Sequence, residues 1–366
     1  MRNPTNENYT RLLRDLLEEF KGEKDPFLAM LKWMMELSIP KLRKGGYVPF
    51  FISSWKRSEQ ALISMIQEAY VNGISTRKME RVIKELGIEN ISASQVSQMS
   101  KSLDEQVKNF RERKLDKEYP FIYVDALYEK IRDEEGKVVS MAIMIAYGIN
   151  KQGKRNVIAI EPFFSESKES WKEFFIKLKN RGVEKVALLI SDAHIGIQKA
   201  FQEIFVGSSW QRCKVHFMRN ILAYIPHRSK KRFSSKLKQI WLQETKQEAI
   251  EVANRIINNY SHKYPKAIQI LTDGLEDSLQ FYYFPQIDKR RISSTNSLER
   301  INKEIRRRSK VVSIFPSVNS YLRLIVSYLM EYSENWEIER VYISPHKLEP
   351  ILEYLYNITI SIKEVA

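Results

Sequence analysis

Residues 185–201 read K-V-A-L-L-I-S-D-A-H-I-G-I-Q-K-A-F, and residues 210–220 read W-Q-R-C-K-V-H-F-M-R-N. The first stretch opens on a short apolar run, Val186 to Ile190. It sets Asp192 just past the end of that run and passes at once into an amphipathic helical pattern. A buried strand that carries a carboxylate to its tip, with a helix after it, is a common way to build a site in an α/β domain.

The segments before this stretch supply the rest of a sheet. Phe121–Glu129 alternates and is rich in aromatic and β-branched residues, and Val139–Tyr147 and Asn156–Ile160 read as a second and third strand. The short Asp133–Gly136 turn predicts an antiparallel hairpin. Ser167 is positioned to cap a helix whose inner face is Trp171, Phe174, Phe175 and Leu178, and Gly182 ends it. Three antiparallel strands, a helix, then a further strand and helix is the order of a ribonuclease-H-like domain. The predicted class is therefore α+β / α/β, with this core over residues 118–336.

Helical periodicity at Ile221–Tyr224, Phe233–Trp241, Ala249–Ile257 and Ala267–Leu271 predicts a large all-helical insertion at about 217–290. A helix from Asn296 to about Ser309 follows, where Asn296 and Glu299 have capping-box spacing. Pro316 opens a last long helix through Tyr332, and the tail, 337–366, reads as peripheral. Ahead of the core, residues 1–57 read as an N-terminal helical region and 58–110 as three helices. One ends at Gly73; the next buries Met79, Val82, Ile83 and Leu86; the third buries Val96, Met99, Leu103 and Val107. Two short helices joined by a Gly-containing turn fit a helix-turn-helix, and an ordinary three-helix unit has the same pattern. The outward face of the third helix offers Gln95, Gln98 and Lys101, residue types that reach base edges and phosphates in a major groove. Arg111–Tyr119 reads as a charged linker.

With 366 residues and 43% hydrophobic content, the chain can hold two or three domains around a sizeable core. Its formal net charge of +15 favours a polyanionic partner. A single cysteine excludes an internal disulfide and a multi-Cys zinc site, and fits a reducing cytoplasm. No apolar run is long enough to span a bilayer, and the N-terminus has no signal-peptide pattern.

Three acidic residues stand out. Asp125 lies mid-strand between Val124 and Ala126, where a carboxylate is costly if both faces are buried and no cation pairs with it. Asp192 lies at a strand end. Glu299 borders the stripe Leu298, Ile301 and Ile305, with Lys303 and Arg306 following on its own side of the helix. Hard oxygen ligands of this kind select magnesium or manganese, and two such ions serve phosphodiester chemistry. Cys213 and His216 have C-x-x-H spacing, but no second pair completes a zinc site. Trp210 suits either stacking on an unpaired base or the core. No acid occurs between Ile204 and Gln243, a span that includes Arg212, Lys214, Arg219 and a run of cations from Arg228 to Lys238. Clusters at Lys289–Arg291 and Arg306–Lys310, the latter with Arg307 and Arg308, add to a pattern suited to tracking phosphates.

Five segments together carry a family resemblance: V-N-G-I-S-T-R-K-M-E (71–80), Y-P-F-I-Y-V-D-A-L-Y-E-K (119–130), S-D-A-H-I-G-I-Q-K-A-F (191–201), W-Q-R-C-K-V-H-F-M-R-N (210–220) and S-T-N-S-L-E-R-I-N-K-E-I-R-R-R-S-K-V-V-S-I-F-P (294–316). Over roughly residues 58–336 the chain resembles the mutator-type transposases of prokaryotic insertion sequences, with a poorer match over the first 57 residues. The resemblance implies that Asp125, Asp192 and Glu299 are a metal-binding catalytic triad for Mg2+ or Mn2+, with two ions expected. It implies that Cys213 and His216 form the family's element near the active site, and that Arg306 takes the place of a basic residue on the Glu helix. The implied partners are DNA, both terminal inverted repeats and target, and a second copy of the chain in the DNA complex. The expected activity is strand cleavage and strand transfer. The rival expectations are a DNA-binding protein without activity and a nuclease on the same fold.

Overall fold

The structure is a computed structural model that describes residues 66–67, 69–74, 76–85, 100, 103–338 and 340–365. The chain divides into two compact units, Met1–Asp104 and Glu105–Ala366. In the first, Gly73 adopts φ +86°, and the N–H groups of Gly73 and Ile74 return to the carbonyls of Tyr70 and Ala69. This is the left-handed helix stop that glycine tolerates best. Helix α1, Thr76–Glu85, follows, with Met79 buried. Gln95, Gln98, Lys101 and the body of the predicted third helix lie outside the described residues; helix α2, Leu103–Glu112, begins after them.

The second unit is built on a five-stranded sheet: β1 Phe121–Arg132, β2 Val138–Ile149, β3 Arg155–Phe163, β4 Leu188–Ser191 and β5 Ser209–Arg212. The strand order is β3-β2-β1-β4-β5; β1, β2 and β3 pair antiparallel, and β4 and β5 run parallel to β1. Strand period two assigns the two faces of β1. Ile122, Val124 and Ala126 enter the core with α3 (Lys168–Asn180) and α4 (Ile195–Ile204), where Trp171, Phe174, Phe175, Leu178 and Phe201 are fully buried. Tyr123 and Asp125 point to the opposite face. There Tyr123 stacks on Tyr147 at 4.3 Å, and Trp336 meets Tyr147 edge-on. The hairpin turn, the Ser167 cap and the Gly182 stop form as the sequence indicates: Gly136 and Gly182 have positive φ, and the Ser167 hydroxyl accepts from the Ser170 N–H.

Between β5 and the Glu299 helix the described chain is helical: α5 Lys214–Ala223, α6 His227–Leu242, α7 Lys246–Tyr260, α8 Pro265–Gly274, a 3-10 helix at Glu276–Tyr283, and the short α9 Lys289–Ile292. Helices α10 (Asn296–Val312), α11 (Val318–Ile338) and α12 (Pro345–Val365) complete the unit.

Four sequence expectations need correction. Strand β5 was not foreseen, because a four-residue strand is too short to show alternation. The segment 111–119 is docked rather than a solvated linker. Arg111 donates to the Ile160 carbonyl and pairs with Glu161 at 2.6 Å, and Arg113 donates to the Val157 carbonyl. With Arg181 on the Ile158 carbonyl, three guanidinium groups occupy the open carbonyls of edge strand β3, which keeps it from pairing with another chain. The tail is packed, not peripheral. Leu348, Ile351 and Leu355 are buried, the Tyr356 hydroxyl donates to Glu118, and Gly153 accepts the Tyr342 and Ile343 N–H groups. A Cβ at Gly153 would stand 1.7 Å from the Ile343 carbonyl oxygen, so only glycine admits the tail there. Finally, the N-cap of α10 is Thr295 rather than Asn296, which puts Glu299 one position too far along for a capping box.

Candidate active site

The parallel register of β1 and β4 decides which carboxylates meet. Tyr123 pairs with Ile190, so two residues further on Asp125, within β1, and Asp192, just past the end of β4, stand side by side. Helix α10 lies along β1 on the same face. The Asn302 amide donates to Asp125 Oδ2 at 2.8 Å, and the Ser309 hydroxyl donates to Glu129 at 2.9 Å. These two contacts align the helix with the strand and bring Glu299, one turn before Asn302, over the aspartates. The result is a cleft of about 730 Å3 whose lining includes Asp125, Asp192, His216, Arg219, Glu299 and Asn302. Exposed Lys303, Arg306 and Arg307 lie further along α10 on the same cleft.

Strand β5 brings up the remaining wall. The Cys213 N–H donates to the Ser191 carbonyl at 2.7 Å, fixing Cys213 beside the residue that precedes Asp192. Helix α5 starts immediately after, with Cys213 as its N-cap. His216 Nε2 then meets Glu299 Oε1 at 2.9 Å, and Arg219 reaches the same oxygen at 3.5 Å. Cys213 is fully buried, and its sulfur accepts from the N–H and hydroxyl of Thr295, each at 3.4 Å. The Thr295 hydroxyl, at the N-cap position of α10, ties α10 to α5 instead of capping its own helix.

The electrostatics are those of a carboxylate cluster short of positive charge at its floor. Burial, and then the charge of Asp192, push Asp125 up to about 6. Glu166, which accepts the Trp171 indole N–H, is raised by burial and further by Asp192. Asp192 Oδ1 is buried with no hydrogen-bond partner. His216 is pushed up to about 9, chiefly by the Cys213 sulfur and against its own burial, with Asp125 and Glu299 adding to the effect. Its Nδ1 nonetheless has no partner of regular hydrogen-bond geometry. The imidazolium neutralises Glu299 but makes no ion pair with either aspartate. The donors that converge here are carboxylate oxygens and a carboxamide, a set that fits a hard divalent cation. Among the described residues no three His, Cys, Asp or Glu side chains are already gathered as a closed metal cage. Glu299 pairs across the cleft with His216 instead.

Several residues expected to contact DNA sit elsewhere. Trp210 is 6% exposed, packs in the sheet core and donates to Ser191 Oγ at 2.8 Å, so neither ring face is open to a base. Arg308 is 6% exposed, lies over the Tyr328 ring at 3.6 Å and pairs with Glu304. Arg212 is half-buried over the Phe217 ring, under the influence of Asp277, Asp192 and Asp273, and its contact with α8 is so close that a Cβ at Gly274 would lie 2.0 Å from it. Lys214 is half-buried as well, while Arg219 is open. Asn302 and Glu166 were missed by the sequence reading. Asn302 is one turn beyond Glu299 and could have been found by asking which residues share its helix face; Glu166 precedes its helix in a loop and carried no such signal.

The chain is similar to known proteins over most of its length. The family described as Transposase, Mutator family, matches residues 23–339, reaching further toward the N-terminus than the motifs alone. The transposase for insertion sequence element ISRM5 of Rhizobium meliloti is 37% identical over 85% of this chain and 78% of its own length. The transposase for IS256 in transposon Tn4001 of Staphylococcus aureus is 40% identical over 82% of this chain and 78% of its own. The transposase for IS1081 of Mycobacterium tuberculosis is 38% identical over 84% and 75%. Among solved structures, the Drosophila P element transposase strand transfer complex aligns over 95% of this chain and 92% of that one, at 11% identity and a TM-score of 0.36, too distant to carry an argument. This chain belongs to the Mutator family of transposases.

Proposed function

We propose that this transposase cuts and joins DNA strands at the cleft formed by Asp125, Asp192 and Glu299, and that these three side chains are its metal ligands. The observation that carries the reading is convergence. Carboxylates from β1, from the end of β4 and from α10 line one cleft, and α10 rims it with Lys303 and Arg306. The strand order, with β4 and β5 parallel to β1, supports a ribonuclease-H-like core carrying the α5–α9 helices as its insertion. Residues 58–110 are assigned to recognition of the terminal inverted repeats as a helix-turn-helix, and two copies act together so that both element ends are held.

Asp125, Asp192 and Glu299 would hold Mg2+ or Mn2+, and two such ions would neutralise charge on the phosphodiester and help activate the attacking oxygen. The protein's own part is positioning. Asn302 and the Ala126 N–H hold the two oxygens of Asp125, and the buried Asp192 Oδ1 beside them has no hydrogen-bond partner. His216 holds Glu299 from the opposite wall, and Thr295 and Cys213 keep that wall in register with β4. Arg219, Lys303 and Arg306 are placed to bind the phosphate chain. In the first reaction a water oxygen displaces the 3′ oxygen at the element's end. In the second the freed 3′-hydroxyl attacks a phosphodiester of another strand, and one phosphodiester is exchanged for another.

The test is a cleavage and joining assay in magnesium on labelled DNA from the ends of the element, with wild type beside Asp192→Asn and Glu299→Gln. Strand-specific nicking and joining are expected in wild type, and neither in the variants, with DNA affinity retained. An unchanged rate in Glu299→Gln removes Glu299 from the site; cutting without joining in wild type replaces the transposase mechanism with that of a nuclease.

A further inference from the structure

Helix α6 has a property that the cleft does not use. Its buried stripe is Phe233, Leu237, Ile240 and Trp241, and Phe233 packs edge-on against Tyr260 and Tyr264. The opposite stripe is Arg228, Lys231, Arg232, Ser235 and Lys238, all exposed and all on one face by helical spacing. Among the described residues, none of these four cationic side chains is engaged in a hydrogen bond, ion pair or ring contact. The arrangement is unfavourable for the helix itself. Arg228 with Lys231 and Arg228 with Arg232 are like charges at neighbouring positions, and the first three cations stand in the first two turns, at the positive end of the helix dipole, with no acid in the first turn. Local physics gives no reason for this face, and an external polyanion does.

Helix α6 also packs on α5, the helix that carries Arg219. The Ser234 hydroxyl lies 3.7 Å from Met218 Sδ, one residue from Arg219, which lines the cleft. From Arg228 to Lys238 the stripe runs about 15 Å, a length over which duplex DNA presents roughly nine phosphate charges. We infer that the exposed face of α6 is a second DNA-binding surface, which holds the backbone of duplex DNA outside the cleft without reading its sequence. This rests on the DNA-cutting reading above. It takes over the contact role that burial denies to Trp210 and Arg308.

The test uses the full chain and a variant with Arg228, Lys231, Arg232 and Lys238 all changed to Gln. A control variant removes four exposed cations elsewhere, Lys114, Lys130, Lys137 and Lys347, again to Gln. Binding constants are measured across a salt series on two duplexes, one from the element's end and one unrelated. Each lost phosphate contact reduces the slope of log K against log salt by about 0.9, so the face variant is expected to lose about 3–4 from it while the control keeps the wild-type slope. Loss on both duplexes supports a face that holds any duplex; loss confined to one of the two duplexes overturns binding without sequence reading. An unchanged slope in the face variant, or an equal loss in the control, overturns the inference while leaving the cleft intact. A wild-type chain that binds neither duplex overturns the transposase reading with it.

Discussion

At the scale of the residue, the site depends on a few polar contacts between segments far apart in sequence. Asn302 meets Asp125 across 177 positions, and it is the contact that orients a carboxylate already strained by burial and by Asp192. Replacing Asn302 by Ala leaves Asp125 with no donor from α10. Loss of such a supporting hydrogen bond typically costs about 10–100-fold in metal affinity or activity. End cleavage by Asn302→Ala is therefore expected to need more Mg2+ and to slow by about that factor. A titration of cleavage rate against Mg2+ that overlays wild type would deny Asn302 this role. The orientation of the amide is chemically determined, because only its NH2 can donate to a carboxylate.

At the scale of the element, α3 is where the sheet gains much of its packing. Its inner face is an unbroken aromatic contact: Trp171 with Phe174 and Phe175, then Phe175 with Phe201 of α4. Trp171→Ala would leave a large cavity in the core between α3, α4 and the sheet and is expected to cost about 3–5 kcal/mol. It would also free Glu166 from its indole donor, next to Asp192. Urea unfolding measures the first effect, and a midpoint within error of wild type would contradict the packing described. Strand β5 shows the same economy in four residues. Gln211 accepts from the Phe281 N–H and donates to the Ser278 carbonyl, so this strand joins the sheet to the helical block that follows.

At the scale of the whole second unit, the C-terminal helix belongs to the fold. Burial of Leu348, Ile351 and Leu355 contributes about 1.5–3 kcal/mol for each side chain relative to exposure. Tyr356 adds a hydroxyl bond to the buried Glu118 and a ring face 3.0 Å from the Lys185 ammonium. Chain ending at Ser344 is expected to unfold at clearly lower denaturant concentration, by an amount corresponding to at least about 4 kcal/mol. A truncated protein as stable as the full chain would mean that α12 contributes nothing to the fold. The same scale explains the charge of +15. Part of it is internal, as at Arg111, Arg113 and Arg181 along β3, and part is gathered on α10 and α6, where nothing in the described chain neutralises it fully.

The sequence alone determined the features whose cause is local. Strand-like composition marked β1 to β3, with alternation in β1, the 3.6 period marked α3 and the helices after β5, and glycine marked the turns at Gly73, Gly136 and Gly182. The order of those elements was enough to bring forward Asp125, Asp192 and Glu299, because each stands at a recognisable place in its own strand or helix. Tertiary structure decided what each polar side chain does. Arg308 looks like a surface contact in sequence and is buried, and Trp210, which suits either a base or the core, is in the core; Thr295, not Asn296, caps α10, and its hydroxyl turns to Cys213, 82 positions away. The tail's hold on Glu118 spans 238 positions. Periodicity describes a residue's place within its own element. A charge or a hydrogen bond is settled by the partner, and partners drawn from distant elements come together only when the sheet has closed.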